Sequence, residues 1–378
     1  MNLINATRLA AGYTVSTDKT GRSSLVVVAK GSYGVPERPD RVPRLLDEQI
    51  PLVMTDVFTG EPGFSAPLHE IDFAPFKPRC DVLLNGSCHA PGGRPAASVP
   101  VGMRVGGLSK SFNVVGHRVY EGGLLSCGPG APRPFEVLPI SYDNAYGGVD
   151  RSNPDPALHR WHLLNHAGVG YHPGASPGDL DGRPLPNTEE LDDKVLRPDG
   201  DYRPMALGAL GRAWQERVRW AGTYDQAWLD HQCPLFPQDF DMRYFQAAPQ
   251  DQQTGYLRGG EEVVLVNLSA EGRTAFCMPG QLALAVLVVL KNGEEAEVAA
   301  HVDTVLLEPD AARFSLTWRA SFPLRRDLFD VRECVVGRTR ERSRQSKARD
   351  ERLVGKRRFA SLAALVAWAR EQRADQDA

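Results

Sequence analysis

Long apolar runs are missing from this chain. The longest, residues 282–290, is nine residues, where a membrane-spanning helix needs about 20. Residues 1–5 carry no basic cluster followed by an apolar stretch, so no secretory signal is expected. Charge of one sign is missing too: 44 Lys+Arg stand against 47 Asp+Glu, a formal −3, too balanced for a general nucleic-acid binder. With 42% hydrophobic residues the chain is too apolar to be disordered throughout. Cysteine is sparse, and Cys80, Cys88, Cys127, Cys233, Cys277 and Cys334 form no CxxC pair. In a long chain without an export signal they read as reduced, mostly buried thiols rather than three disulfides. Common catalytic signatures are lacking as well: no GxSxG elbow, no GxxxxGK[ST] phosphate loop, no HExxH and no GxGxxG after a strand.

What is abundant is glycine and proline, 36 and 29 residues, together 65 of 378 or 17%, against about 12% on average. Both disfavour helix interiors, so many short strands joined by turns are expected. Periodicity agrees. Within 313–322, Phe314, Leu316, Trp318, Ala320 and Phe322 alternate with Arg313, Ser315, Thr317, Arg319 and Ser321, the period of a strand with one apolar face. Burying each large apolar member contributes about 1.5–3 kcal/mol, enough to fix the register. Val298, Ala300, Val302, Thr304 and Leu306 alternate likewise before a Glu308-Pro309-Asp310 turn. Residues 282–290 read as a strand buried on both faces, although length alone also allows a buried helix. Strands are further expected at 25–29, 82–84, 99–105 and 112–120, with Gly116 as a bulge. The expected class is mainly β: sandwich-like antiparallel sheets, long ordered loops, few short helices and a C-terminal amphipathic helix.

Residues 151–205 are rich in Pro, Asp, Gly and Asn without a sustained period and read as long ordered loops, functional or covering. Short helical pieces are expected at 207–219 and 223–229. Residues 1–337 then form a β-rich region of one large or two intimately packed domains. From 338 to 358 there are ten Lys/Arg and three Asp/Glu, a balance of +7, so the rest carries −10. This basic connector reads either as a solvated linker or as a segment drawn to acidic surface. Within 359–378, Leu362, Leu365, Val366 and Ala369 fall at helical spacing behind Ser361, a short amphipathic helix that needs a surface to dock on.

Several groupings invite chemistry. His159, His162 and His166, with His172 nearby, could share a helix face and hold zinc, but Gly168, Gly170, Pro173 and Gly174 crowd the stretch and no Cys or carboxylate completes the set. Structural histidines are expected instead, and no metal or cofactor. Cys88-His89 would point to opposite faces of a strand, so a buried thiol is expected rather than a nucleophile–base pair. Asp239 and Asp241 beside Arg243 could serve acid–base catalysis, or simply flank the ring of Phe240 with Arg243 neutralising them; the second reading is preferred and no catalytic residue is assigned. Tyr142-Asp143-Asn144-Ala145-Tyr146-Gly147-Gly148 joins turn-forming side chains to a glycine pair, its tyrosines serving either the core or a recognition surface. Nine of the 43 residues from 214 to 256 are aromatic, 21% against 8% overall. Most belong in a packed layer; an exposed few would make a binding face.

Read together, several segments resemble a bacterial domain-of-unknown-function family, the one numbered twenty-one sixty-nine. They are Lys77-Pro78-Arg79-Cys80-Asp81-Val82, Ala90-Pro91-Gly92-Gly93, the 142–148 stretch, Gly222-Thr223-Tyr224-Asp225, Asp239-Phe240-Asp241-Met242-Arg243-Tyr244-Phe245, Ala248-Pro249-Gln250-Asp251-Gln252-Gln253, Val302-Asp303-Thr304 and Thr317-Trp318-Arg319. The resemblance spans roughly residues 5–337 in order and leaves the connector and terminal helix outside. His166 stands where that family commonly has proline, which further disfavours a metal role. The resemblance implies a cytoplasmic accessory protein of type VI secretion, an adaptor or chaperone rather than an enzyme. Its partners would be a secreted effector, often one with a PAAR repeat, and the VgrG spike, with no nucleic acid or membrane involved. Partner-binding candidates, taken from the two aromatic segments, are Tyr142, Asn144, Tyr146, Trp228, Asp239, Asp241, Arg243 and Tyr244. The alternatives are a carbohydrate-active or other hydrolase using Asp239 and Asp241, and a structural component of the secretion particle.

Overall fold

The computed structural model describes residues 1–325 and 327–339. The terminal helix expected over 359–378 and nearly all of the basic connector lie outside the described residues. The class is mainly β, with several antiparallel sheets and few short helices. A nine-stranded sheet runs, edge to edge, through Asn2–Asn5, Val331–Val336, Leu284–Leu290, Glu295–Glu308, Arg313–Pro323, Ser23–Gly34 and Ala10–Thr17. Cys80–Leu84 joins Glu295–Glu308 in parallel and takes Gln253–Thr254 on its other side. A five-stranded antiparallel sheet contains Thr188–Glu189, Leu108–Val115, Ser98–Val105, Glu262–Val266 and Arg273–Cys277.

The period-two segment is the strand Arg313–Pro323, and its apolar side is core: Phe314 and Leu316 are fully buried, and the buried Trp318 donates from Nε1 to the Leu282 carbonyl at 2.7 Å. One continuous apolar cluster joins these residues and Leu25, Val27 and Ala29 to Val101, Met103, Phe112 and Val263 of the smaller sheet. Burial of both faces, unlike a half-wet antiparallel strand, changes what the polar alternation means. Ser315, Thr317 and Arg319 are also buried, because the chain between residues 49 and 77 folds over them. In the hairpin with Glu295–Glu308, Val302 pairs with Trp318 and Thr304 with Thr317, so Asp303 is the extra residue of a bulge.

Three expectations need correction. The stretch 112–120 is not one strand: it ends at Val115 and resumes at Tyr120. Gly116 sits between them, not in a bulge, and a Cβ there would collide with the Arg133 carbonyl. The helix expected over 207–219 is reduced to Gln215–Val218. Leu207 and Leu210 instead spend their backbone groups on other segments: the Leu207 carbonyl accepts from Leu84 and Gln252, and Leu210 N–H donates to Ala247. The second helix is Gln226–His231, shifted toward the C-terminus because Asp225 caps it by accepting from Trp228 N–H. Residues 151–205 are loops with short ordered pieces, closing over a small core of Tyr120, Tyr146, Leu180, Leu185 and Val195.

Candidate functional site

Three of the resemblance motifs, 77–82, 302–304 and 317–319, contribute to a buried ionic network between the large sheet and its covering loops. Lys77 Nζ donates to Asp81 Oδ2 at 2.8 Å and to Thr304 Oγ1 at 3.1 Å, and lies 3.8 Å from Glu70 Oε2. Glu70 Oε1 accepts from Arg217 at 2.6 Å and pairs with Arg212 at 2.9 Å, and Arg212 clamps Asp56. Arg319 pairs with the bulge residue Asp303 at 2.6 Å and donates to the Asp72 and Ala74 carbonyls, while Asp72 pairs with Lys30 at 3.0 Å. Five cations and five carboxylates thus balance. Burial alone would lower the Lys77 ammonium, yet Asp81 and Glu70 hold it above the ordinary lysine value. Burial likewise works against the Glu70 carboxylate, but Arg217, Lys77 and Arg212 keep it below the usual range. Burial raises the Asp81 carboxyl against the pull of Lys77. Its geometry is that of a carboxylate, since it also accepts from Gln246 Nε2 and Ala247 N–H. Each charged group pairs with one of opposite sign, although Glu70 Oε2 makes no hydrogen bond, so the network ties the covering loops to the sheet.

Tyr142 and Tyr146, expected as partner anchors, are core side chains. Tyr142 is 3% and Tyr146 0% exposed. Tyr142 packs edge-on against Trp214 at 5.1 Å, and Tyr146 against His162, Tyr171 and Tyr202 while donating from Oη to the Gly200 carbonyl at 2.9 Å. Neither presents a ring to solvent. Asn144 is half-buried, and its backbone carbonyl accepts from Asn187 N–H. Between the tyrosines, Asp143 accepts from Ala66 N–H and Thr59 Oγ1, each at 2.7 Å, tying down a distant hairpin.

Trp228, Asp239, Asp241, Arg243 and Tyr244 gather elsewhere, on residues 214–246. Phe236 stacks on the buried Phe240 at 4.1 Å, and Tyr244 and Phe245 close around them as a small aromatic core. Asp239 accepts from Thr223 N–H and Oγ1, which lowers its carboxyl pKa. Asp241 caps the turn Met242–Phe245 and accepts both Nε and Nη2 of Arg243, which lowers its pKa in turn. Both remain ionised near neutral pH, and neither is raised toward the range of a general acid. Trp228 is half-buried, donating to the Leu235 carbonyl and meeting Tyr224 edge-on at 4.8 Å.

Around this core lies a surface that sequence reasoning missed. Val218, Tyr224 and Leu229 are 46%, 53% and 55% exposed. A groove of about 340 Å³ opens on the same segment, lined by Arg79, Glu216, Arg217, Arg219, Trp220 and Arg243, with Gln246, Gln250 and Gln253. The Arg243 guanidinium lies over the Trp220 ring at 3.4 Å and that of Arg219 at 5.0 Å, a cation–π arrangement. Burial raises the Glu216 carboxyl above the ordinary glutamate value, against Lys110 and Arg219. The available signal was the Arg219-Trp220 dipeptide inside the aromatic stretch.

The remaining groupings pack and hydrogen-bond within the fold. The buried His162, its pKa lowered to about 4 by burial, packs on Tyr146 and Tyr171; His166 packs on Trp161 and Trp214; His159 meets the Asn153 carbonyl and His172 meets Arg183. Among the described residues no group of three or more His, Cys, Asp or Glu is placed to hold a metal, and no helix is long and apolar enough to cross a membrane. Cys88 is buried, its thiol pushed up to about 12 by burial, while His89 turns to Asp310 at 2.9 Å. All six cysteines are free; Cys80, Cys88 and Cys334 are buried, whereas Cys233 and Cys277 are exposed.

Fold and surface together define a mainly β protein of layered sheets, carrying an aromatic, arginine-lined face on short helices and turns. The chain belongs to a bacterial family described as uncharacterized protein conserved in bacteria (DUF2169), whose model matches residues 20–319. That match takes in both the ionic network and the arginine-lined groove. No curated protein and no solved structure matches the chain.

Proposed function

We propose that this chain is a binding adaptor, not an enzyme: a cytoplasmic accessory protein of type VI secretion that holds a secreted effector and assists its loading onto the VgrG spike. The effector is expected to carry or accompany a PAAR repeat. The observation that carries the binding role is the run of exposed side chains Val218, Tyr224 and Leu229 along residues 218–229, with Tyr224 edge-on to the half-buried Trp228 and the stacked Phe236 and Phe240 nearby in the chain. Aromatic and aliphatic anchors on a preformed scaffold, rimmed by Arg, Gln and Asp, have the make-up of a protein–protein hot spot. The secretion context rests on the motif resemblance. Deleting the gene in the native host should lower effector abundance and its association with the spike, and re-expression should restore both. Unchanged effector abundance and spike association in the deletion strain would overturn this reading.

A further inference from the structure

We propose that the groove between Trp220 and Gln253 is a slot for an acidic segment of the bound partner protein, recognised through its Asp or Glu carboxylates. The identity of the partner rests on the adaptor reading; the chemistry of the slot does not. Four guanidinium groups line the groove against one carboxylate, Glu216. Two of the four are fixed in place. Arg217 is fully buried and donates to Glu70, the Leu210 carbonyl and the Tyr244 carbonyl. Arg243 is stacked on Trp220 and held by both oxygens of Asp241. The other two, Arg79 and Arg219, are exposed and have no carboxylate within ion-pair distance among the described residues. Arg79 is tethered by Nη2 to the Gln253 carbonyl at 3.0 Å, and Arg219 lies over the indole. Both are therefore partly ordered before any ligand arrives, with donors left over for a planar carboxylate.

A nucleic-acid strand fits this groove less well. Base stacking needs an open aromatic face, and Arg243 covers one face of Trp220 at 3.4 Å. The chain outside residues 338–358 also carries −10, which repels a long polyanion while leaving a short acidic segment able to enter a locally basic groove. Glu216 makes no hydrogen bond or ion pair among the described residues, so neutralising it leaves the wall intact and makes the groove more cationic.

The test is fluorescence anisotropy of labelled octaglutamate with the full chain at low salt, alongside an uncharged Gly/Ser peptide and a thymidine oligonucleotide of the same length. The connector, with ten Lys/Arg, also attracts acid, so groove variants make the reading. Arg79→Ala and Arg219→Ala should each weaken octaglutamate binding about two- to fivefold, as expected for loss of an exposed charge pair. Glu216→Gln should tighten it about twofold or more, and thermal melts of all three should match wild type. Equal affinity across wild type and variants would assign binding to the connector and overturn the slot. Oligonucleotide binding that is tighter and equally sensitive to these variants would overturn it in favour of nucleic acid. If the double variant Arg79→Ala/Arg219→Ala still captures the effector, the slot is wrong for that partner while the adaptor reading stands; if wild type captures no effector yet binds octaglutamate through the groove, the reverse holds.

Discussion

Lys77→Met keeps the length of a buried side chain and removes its charge. Lys77 is 4% and Asp81 0% exposed, so the variant strands the Asp81 carboxylate with Gln246 Nε2 and Ala247 N–H as its remaining donors, and leaves Glu70 Oε2 without a cation. Breaking a buried pair by removing one partner costs about 3–5 kcal/mol. An unfolding entropy of about 2.1 cal/mol/K per residue over roughly 340 residues gives about 0.7 kcal/mol/K, so the melting temperature should fall by about 4–7 °C. The pH dependence follows from the sign of the Asp81 shift. Burial already raises that carboxyl in the native protein, and losing Lys77 raises it further. A carboxyl that holds its proton more tightly folded than unfolded weakens the fold as pH rises from about 3.9 toward its folded pKa. The deficit should therefore be larger at pH 7.5 than at pH 5. Lys77→Met/Asp81→Asn, which removes both charges, should recover at least half of it. Calorimetry at the two pH values decides the matter. A loss below about 1 kcal/mol, or a deficit independent of both pH and the second substitution, would refute the claim that this network fastens the loops to the sheet.

Two other perturbations read separate parts of the fold. His162 is buried and neutral with a pKa of about 4, against about 6.5 unfolded, so its contribution is intact above 6.5 and declines by roughly 3 kcal/mol as pH falls toward 4; His162→Phe, which keeps the ring contacts, should flatten that part of the acid-denaturation profile, and an unchanged profile would contradict the assignment. Asp143→Ala removes the acceptor of Ala66 N–H and Thr59 Oγ1, which should cost about 1–3 kcal/mol and open the hairpin Val57–Phe58/Pro67–His69 to Glu-specific proteolysis at Glu61; resistance equal to wild type would show that the hairpin is held by other contacts.

Strand chemistry was legible where alternation was clean. Phe314, Leu316 and Trp318 imposed a period that no helix could satisfy, and Val298–Leu306 read as a second strand ending in a turn; their pairing is a finding of the structure. Alternation could not say what covers the other side. Arg319 reads as a solvent residue in a period-two strand, and only the long-range return of the 49–77 chain, with Asp303 brought round by a bulge, makes it a buried ion-pair partner. The short helix expected within 207–219 is confined to Gln215–Val218 for a related reason: Gly208 and Gly211 lower helix propensity, and hydrogen bonds to Leu84, Gln252 and Ala247 claim the backbone of Leu207 and Leu210. At the site, aromatic density located the right segment, 214–256, but density does not separate core from face. Tyr142 and Tyr146 lie in equally aromatic, turn-rich sequence and are buried, whereas Arg219 and Trp220, marked only by an arginine beside an indole, line the groove.

The account's central claim is that this surface holds a partner, and quantitative co-purification from the native host measures it most directly. Tagged wild type and the double variant Tyr224→Ala/Leu229→Ala are compared at equal expression. Both side chains are more than half exposed, so the variant, which also loses the Tyr224–Trp228 ring contact, should stay within about 2 kcal/mol of wild type. Truncating hot-spot anchors commonly costs 2 kcal/mol or more, about thirtyfold in affinity, so effector recovery should fall below a tenth of wild type. Equal recovery of the same partner by a correctly folded variant would contradict the claim.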